Sequence, residues 1–249
     1  MRYFIWLSYT GGAYCGWQRQ PNGMSVQQRV EEALATILRQ PTPLTGAGRT
    51  DAGVHARRMA AHLDMNVPID DPAGLVGRLN RLLPPDIAVW SLDAVRPDAH
   101  ARFSATARTY EYTVTGVKDP FAPPAVHRMV LRGVDFEAMN RAAATLLDYR
   151  DFTSFSKLHT DVKTNLCHVT RAEWRRQGEL WTFTITADRF LRNMVRAIVG
   201  TLFEVGRGRL SEEGFRHVIE ALDRSQAGDS AAAEGLALVE VHYPADIFL

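Results

Sequence analysis

The chain has 249 residues, of which 46% are hydrophobic and 23% charged, as in ordinary globular proteins with one large domain or two of about 120 residues. No apolar run approaches the roughly 20 residues of a membrane helix, no signal-peptide pattern opens the sequence, and the two distant cysteines favour reduced thiols in a cytosolic protein. Net charge is +1, yet only 3 of the 29 basic residues are lysine, and the arginine excess indicates either phosphate recognition or codon bias.

The first hundred residues predict the order β-α-β-α-β, a half domain of helices packed on a sheet. Ser25 and Gln28 form a capping box at the start of the first helix, and the prolines after Gln40 end it. The predicted elements are a strand over 3–9, a helix over 26–40, a strand over 57–66, a helix over 72–83 and a strand over 87–92.

Residues 100–116 are predicted to form one long strand, whose period-two alternation sorts the side chains into two faces. One face carries arginines, hydroxyl groups and tyrosines, which is not typical of a core. Its predicted members are Arg102, Ser104, Thr106, Arg108, Tyr110 and Tyr112.

The second half predicts the order β-α-β-β-α-α-β, a loose structural copy of the first half without a sequence repeat. After the strand at 100–116, its predicted elements are a helix over 134–147, a hairpin of strands over 169–177 and 180–187, helices over 188–205 and 211–222, and a closing strand over 235–244. We therefore predict an α+β chain of two halves, 1–102 and 103–249.

A polar stretch from Asp151 to about His168 contains Lys157, His159 and Lys163 and little apolar material. Connections of this length are usually functional or mobile. By the family resemblance described below, an RNA-contacting arm is favoured over a plain surface loop.

Arg189, Arg192 and Arg196 are spaced to lie together on the predicted helix over 188–205. A solvated charged face is the plain interpretation. Three like charges without an interleaved acid repel one another unless an anion joins them, so an anion-binding role is the alternative.

The stretch Gly46-Ala47-Gly48-Arg49-Thr50-Asp51-Ala52-Gly53-Val54-His55-Ala56 is the most informative in the sequence. Three glycines in eight positions predict a tight loop that another backbone or a ligand can approach closely. One carboxylate, Asp51, stands at its centre, two residues after the guanidinium of Arg49. A glycine turn with a solvated aspartate is the plain alternative.

Other uses of a glycine loop fit this spacing poorly. A phosphate loop needs Gly-Lys-Ser/Thr after its last glycine, and a dinucleotide fingerprint needs a glycine where Asp51 stands. Metal ligation by Asp51, His55 and His62 is conceivable, but the ligands would come from a loop and a strand with no cysteine nearby, so we predict no metal. A glycosidase would need a second carboxylate at a set separation, and no second acid accompanies Asp51 in a motif.

The segment from Gly48 to Ala56 resembles the signature of the TruA-type tRNA pseudouridine synthases, in which the aspartate is catalytic. The resemblance runs along nearly the whole chain. It includes the segments 11–20, 100–112, 151–155, 190–196 and 235–244. It implies the pseudouridine synthase fold, an α+β architecture of two similar halves with mainly antiparallel sheets joined into a central sheet and helices on one side.

The resemblance also implies roles for individual residues. Asp51 would be the catalytic carboxylate, Arg196 its counter-ion, and Arg49 would approach the phosphate or fill the space left by a flipped base. Tyr110 would stack on the target base. The candidate RNA contacts are His100, Arg102 and Phe103 by resemblance, with Lys157 and Arg189 added from the basic stretches.

The implied activity is isomerisation of uridine to pseudouridine at positions 38, 39 and 40 of the tRNA anticodon stem-loop. This reaction involves no net redox change and adds nothing, so no cofactor is expected. Three roles for Asp51 are open: attack on ribose C1′, attack on uracil C6, or removal of a sugar proton. The resemblance further implies a homodimer that forms one tRNA cleft, in the cytoplasm and without a membrane. A non-catalytic RNA-binding module is the alternative, but it would not need Asp51 in a glycine loop.

Overall fold

The computed structural model describes residues 1–21, 23–157 and 164–249. Within these ranges the chain forms nine strands and five α-helices, which confirms the predicted α+β class. The strands are β1 (Arg2–Tyr9), β2 (Thr45–Gly46), β3 (His55–Asp64), β4 (Ile87–Val95), β5 (Ala107–Thr115), β6 (His127–Arg128), β7 (Val169–Gln177), β8 (Leu180–Ala187) and β9 (Leu236–His242). The helices are α1 (Val26–Leu38), α2 (Pro72–Leu82), α3 (Phe136–Ala144), α4 (Met194–Gly206) and α5 (Glu212–Glu220). No helix in the described ranges is long and apolar enough to cross a bilayer.

The chain divides into two compact units. The first contains residues 1–107 and 237–249, and the second contains residues 108–236. The closing strand therefore belongs to the same compact unit as the N-terminal residues. The division into domains at 1–102 and 103–249 stays a prediction.

The first unit is built on a sheet with the strand order β4-β1-β3-β9. Strand β1 is antiparallel to both of its neighbours, and β9 pairs parallel with β3 at His55 and Ala56. Phe4, Ile5 and Leu7 of β1 are fully buried, so both faces of this strand are covered and the core of the unit surrounds it.

The N-cap half of the capping box predicted for α1 is confirmed, whereas the Gln28 side chain donates to Glu32 at 2.8 Å. The side chain of Ser25 accepts a hydrogen bond from the backbone N–H of Gln28 at 3.2 Å. Helix α2 begins in a similar way, because Asp71 accepts from the Gly74 N–H at 2.8 Å and a proline occupies the first turn.

The second unit contains the antiparallel strands β5-β8-β7, with β6 parallel to β5. Helix α4 forms its core, since nearly every side chain from Met194 to Val205 is buried. Phe136 of α3 stacks on Trp181 of β8 with ring centroids 3.9 Å apart, which fixes that helix on the hairpin.

The long strand predicted to begin at His100 is wrong in its first part, because β5 begins only at Ala107. The Ser104 N–H donates to the His100 carbonyl at 2.9 Å, as in one turn of helix. The Nδ1 atom of His100 accepts the N–H groups of Arg102 and Phe103 at 3.1 and 3.3 Å. These local side-chain bonds compete with a strand ladder and replace it here.

The predicted strand face is consequently wrong as well. Arg102 and Ser104 lie in the turn, whereas Arg108 and Tyr110 are half-buried in β5. Tyr112 belongs to the core, with only 1% of its surface exposed.

The helix predicted over 188–205 begins at Met194, and the predicted stack of three arginines is therefore wrong. Asn193 adopts φ +66°, a left-handed conformation that a helix interior does not allow and that asparagine tolerates. The Asp188 carboxylate accepts the backbone N–H of Arg189 at 2.7 Å, which holds the preceding residues in a loop. Arg189 and Arg192 thus precede the helix.

Candidate active site

The glycine loop of the first unit is held by the opening loop, residues 11–20. The Trp17 N–H donates to the Thr50 carbonyl at 3.3 Å, and the Gly53 N–H donates to the Tyr14 carbonyl at 3.4 Å. These bonds satisfy polar backbone groups on both sides of Asp51. The loop therefore has a fixed backbone, not that of a solvated turn.

Two glycines of the opening loop make this close approach possible. A Cβ atom at Gly11 would overlap the carbonyl of Val54, and one at Gly16 would overlap the carbonyl of Thr50. Gly16 also has φ +104°, which side-chain-bearing residues rarely adopt. Both positions require glycine.

Asp51 is the first residue of a tight turn within the glycine loop. Its carbonyl accepts the N–H of Val54 at 3.1 Å. Gly53, the third residue of the turn, has φ +79°, as the third residue of a type II turn does. This turn explains why a glycine stands two residues after Asp51. Asp51 itself is half-buried.

The residues before Asp51 are anchored by side chains. The hydroxyl groups of Thr50 and Tyr9 are hydrogen-bonded at 2.8 Å in a buried position. Arg49 is exposed, and its Nε donates to the side-chain oxygen of Gln18 at 3.1 Å. Arg49 and Asp51 therefore lie on the same rigid loop, and the side chain of Arg49 is more exposed to solvent than that of Asp51.

The two histidines of the conceivable metal site have other partners. The Nδ1 atom of His55 accepts the Gly11 N–H at 3.2 Å, and the Nδ1 atom of His62 accepts the Ala101 N–H at 3.1 Å. In the described ranges no group of three His, Cys, Asp or Glu side chains forms a potential metal cluster. The His55 bond ties the end of the glycine loop to the opening loop.

In the second unit, Arg196 is held by a segment that we call the clamp, residues 227–231. Its Nε donates to the Ala231 carbonyl at 2.7 Å, and the Ala231 N–H donates to the Arg196 carbonyl at 2.9 Å. The Ser230 hydroxyl accepts from the side chains of Asn193 and Arg224 at 2.6 and 3.2 Å. The hydrogen bond at Nε therefore restricts the orientation of the Arg196 guanidinium.

The clamp lies directly on α4. A Cβ atom at Gly200 would overlap the Asp229 carbonyl, so glycine is required there. The Gly228 N–H donates to the Thr201 hydroxyl at 3.0 Å. The clamp and α4 thus behave as one packed element.

Tyr110 is half-buried in β5 opposite Ile185 of β8. Its ring meets Phe190 edge to face at a centroid distance of 5.1 Å. Tyr112 is fully buried, and burial raises its pKa. Of the two tyrosines, only Tyr110 is accessible enough to stack on a substrate base.

Three of the candidate RNA contacts lie on one turn of the first unit. Phe103 is 76% exposed, and its ring packs on the ring of His100 at a centroid distance of 4.4 Å. The Arg102 guanidinium lies 5.7 Å from the centroid of the Phe103 ring. His100 in turn lies edge to face on His62 at 4.6 Å, and burial lowers the pKa of His100. An aromatic and a cationic group are thus presented to solvent together.

The other candidates belong to the second unit. The backbone N–H of Lys157 donates to the carbonyl of Arg192 at 3.1 Å, which places Lys157 beside the loop that contains Arg189. His159 and Lys163 of the predicted arm lie outside the described residues. Asp51 belongs to the first unit and Arg196 to the second, and their pairing stays a prediction.

Sequence reasoning missed the residues that support the site. Gln18 and Tyr9 hold the two residues before Asp51. In the clamp, Ser230 and Ala231 hold the side chains of Asn193 and Arg196. For Gln18 a signal was present, because it lies in the opening-loop motif. Nothing in the local sequence marks Ser230 or Ala231, since their partners lie about 35 residues away.

Comparison with known proteins identifies the class of this site. A family model described as tRNA pseudouridine synthase matches residues 142–244. Relatives at much higher coverage extend this match to the whole chain, and the chain belongs to the tRNA pseudouridine synthase family. The predicted family and the predicted enzyme class, an isomerase, are confirmed.

The relatives include three proteins named tRNA pseudouridine synthase A. The protein of Parabacteroides distasonis is 62% identical over 247 residues, which cover 99% of this chain and 98% of the relative. That of Bacteroides thetaiotaomicron is 60% identical over 250 residues, with 99% and 92% covered. That of Porphyromonas gingivalis is 58% identical over 253 residues, with 100% and 99% covered.

Proposed function

We propose that this chain converts uridine to pseudouridine at positions 38, 39 and 40 of the tRNA anticodon stem-loop, with Asp51 as the catalytic carboxylate. The observation that carries the proposal is the glycine loop, whose backbone is fixed by two glycine contacts and a tight turn around that single acid. A binding module would have no use for this arrangement.

The reaction breaks the bond between ribose C1′ and uracil N1, turns the base and joins C1′ to C5. Atoms and electrons balance within the nucleotide, so this chain's own residues suffice. Asp51 acts as nucleophile or base, and Arg196 is its proposed counter-ion. The clamp serves to hold that guanidinium in place.

The target uridine has to leave its stack to reach Asp51, at a cost of roughly a few kcal/mol. Stacking of the uracil on Tyr110 offsets roughly 1–3 kcal/mol of this cost. Arg49, exposed on the same loop as Asp51, binds the neighbouring phosphate or occupies the vacated position in the stem.

The surrounding contacts recognise the shape of the tRNA, since several neighbouring positions are modified. Phe103 and Arg102 offer a stacking ring and a charge, and His100 orients both residues through its backbone hydrogen bonds. Lys157 and Arg189 provide further phosphate contacts. We propose that the enzyme acts as a homodimer in the cytoplasm.

The test is replacement of Asp51 by Asn, with pseudouridine measured in tRNA that lacks the modification. We expect at least about a 1000-fold loss of kcat, because covalent or general-base catalysis disappears, and unchanged tRNA affinity. Asp70→Asn, at an exposed acid of the same unit, is the matched control and should retain full activity. Full turnover by Asp51→Asn would refute the catalytic assignment.

The counter-ion role has its own test. Arg196→Leu should fold and bind tRNA but lose most of kcat, whereas Arg196→Lys should recover part of it. Loss of binding without loss of chemistry would contradict the role. Mapping pseudouridine in tRNA from cells that lack this protein identifies the modified positions directly.

A further inference from the structure

A second candidate binding surface lies on the sheet of the first unit, outside the glycine loop. It is an open cavity of about 260 Å³. Its lining residues are Trp6, Arg57, Arg58, Trp90 and Ser91. We call this set the Trp90 surface.

The arginines reach this surface through a β-bulge. The register between β3 and β1 shifts by one residue between positions 56 and 59. In a regular strand Arg57 and Arg58 would point to opposite faces, but both are exposed and both line the cavity. Bulges commonly re-aim side chains in this way beside functional sites.

A second bulge lies on the other side of β1. Trp6 pairs with Ser91 and its neighbour Leu7 with Val89, so Trp90 is the extra residue of β4. The indole of Trp90 is 65% exposed, an unusual exposure for the largest apolar side chain. Two bulges in strands distant in sequence thus aim an aromatic ring and two guanidinium groups at one cavity.

The two arginines are held differently. The guanidinium of Arg58 lies over the buried ring of Trp6 at 4.7 Å and pairs with Glu240 at 3.7 Å, so two contacts orient it. Arg57 is exposed and forms no ion pair within the described ranges. The nearest acid on β4, Asp93, accepts a hydrogen bond from the Ser91 hydroxyl.

From this geometry we propose that the Trp90 surface binds one unpaired nucleotide of the tRNA at a position other than the target uridine. The base stacks on Trp90 and its phosphate pairs with Arg57, while Arg58 and Trp6 form the wall. The inference rests on the proposed tRNA substrate but not on any role of Asp51.

The chemistry favours a nucleotide of a longer chain over other occupants. The cavity is smaller than the roughly 300–1,000 Å³ of enclosed small-molecule sites and is open to solvent. Every nucleobase has a face that stacks on an indole, and a guanidinium matches phosphate geometry. Trp and Arg also dominate protein interfaces, so a second copy of the chain is the competing occupant.

The stacking half of the proposal is tested with Trp90→Ala and Trp90→Phe in the full chain. With unmodified tRNA we expect Trp90→Ala to raise Kd and KM about tenfold, while kcat at saturating tRNA changes less than about twofold. Trp90→Phe keeps a stacking ring and should stay within about threefold of the parent. Phe121→Ala, at a 92% exposed ring of the second unit, is the matched control and should change neither constant.

The phosphate half is tested by salt titration of tRNA binding. Each phosphate contact contributes about one to the slope of log K against log salt, so Arg57→Gln should lower the slope by about one and Arg57→Lys should keep it. Arg81→Gln, at an exposed arginine on α2, is the control and should leave the slope unchanged.

Unchanged tRNA affinity in Trp90→Ala and an unchanged salt slope in Arg57→Gln would overturn the proposal. So would a shift in sedimentation of Trp90→Ala at unchanged tRNA affinity, because the surface would then join two copies of the chain. If Asp51→Asn stays active while Trp90→Ala binds tRNA weakly, the catalytic assignment fails and the present inference stands.

Discussion

The two compact units hold their candidate catalytic residues by different physical means. In the first unit, Asp51 stands on a loop whose backbone touches another backbone at Gly11 and Gly16. In the second unit, Arg196 is oriented by hydrogen bonds to Ala231. Close packing tolerates no added atom, whereas a hydrogen bond can lengthen or be replaced by water. The glycine loop is the more brittle of the two, because two glycines hold it against the opening loop, whereas one glycine, Gly200, holds α4 against the clamp.

The largest effect is expected from a single methyl group at Gly11. Gly11→Ala should lower the free energy of unfolding by about 3 kcal/mol and abolish pseudouridine formation, because its Cβ overlaps the Val54 carbonyl. Gly12→Ala is the matched control, since no atom lies within 4 Å of its Cβ position. Urea unfolding of both variants measures the difference, and equal stabilities would contradict the packing argument.

A smaller effect is expected for the clamp of the second unit. Gly200→Ala should cost about 2 kcal/mol, because its Cβ displaces the Asp229 carbonyl, and should lower kcat more than tRNA affinity by loosening the bond from Arg196 to the clamp. Gly77→Ala, in open space on α2, should stabilise by about 0.5–1 kcal/mol. A Gly200→Ala protein with parental kcat would show that the clamp does not position Arg196.

The smallest effect is expected at the hydrogen bond between His62 and Ala101 in the first unit, which a low pH can break without any substitution. Burial, and then the charges of Arg2 and His100, lower the pKa of His62 to about 4. Between pH 6.5 and pH 4 the unfolded chain binds a proton at His62 that the folded chain does not bind. The contribution of His62 to the free energy of unfolding is therefore complete above pH 6.5 and is lost as the pH falls towards 4. Protonation of Nδ1 would also remove the acceptor of the Ala101 N–H.

Each unit of pKa difference between the folded and unfolded chain corresponds to about 1.4 kcal/mol of stability. We expect a total loss of only about 1–2 kcal/mol, because solvent near the ring screens part of the effect. Denaturant unfolding of the parent and His62→Gln at pH 7.5, 5.5 and 4.5 measures it. The variant should show the flatter pH dependence, and identical slopes would assign the acid sensitivity elsewhere.

The sequence predicted those elements whose signals are local. The N-cap Ser25 and the proline at the start of α2 fix helix starts within a few residues. The failures came from side chains that bond to the backbone in ways no periodicity reveals. The hydrogen bonds of the His100 imidazole delayed the start of β5 to Ala107, and the left-handed Asn193 delayed the start of α4 to Met194.

The candidate site divides in the same way. Three glycines around one acid were enough to single out Asp51, because glycine spacing reports directly on close backbone approach. The roles of Tyr110 and Arg196 came from family resemblance and not from the pattern. The Trp90 surface could not be predicted, since it depends on two register shifts between strands far apart in the sequence.

The return of the chain to its first unit has a consequence for synthesis. Strand β9 pairs with β3 at His55, beside the glycine loop, and the Tyr243 hydroxyl donates to the Ala101 carbonyl at 2.5 Å. A ribosome therefore makes the last piece of the N-terminal unit only after the entire second unit. Nascent chains halted before residue 237 lack β9, one of the neighbours of β3, so the N-terminal unit can be completed only when synthesis is almost finished.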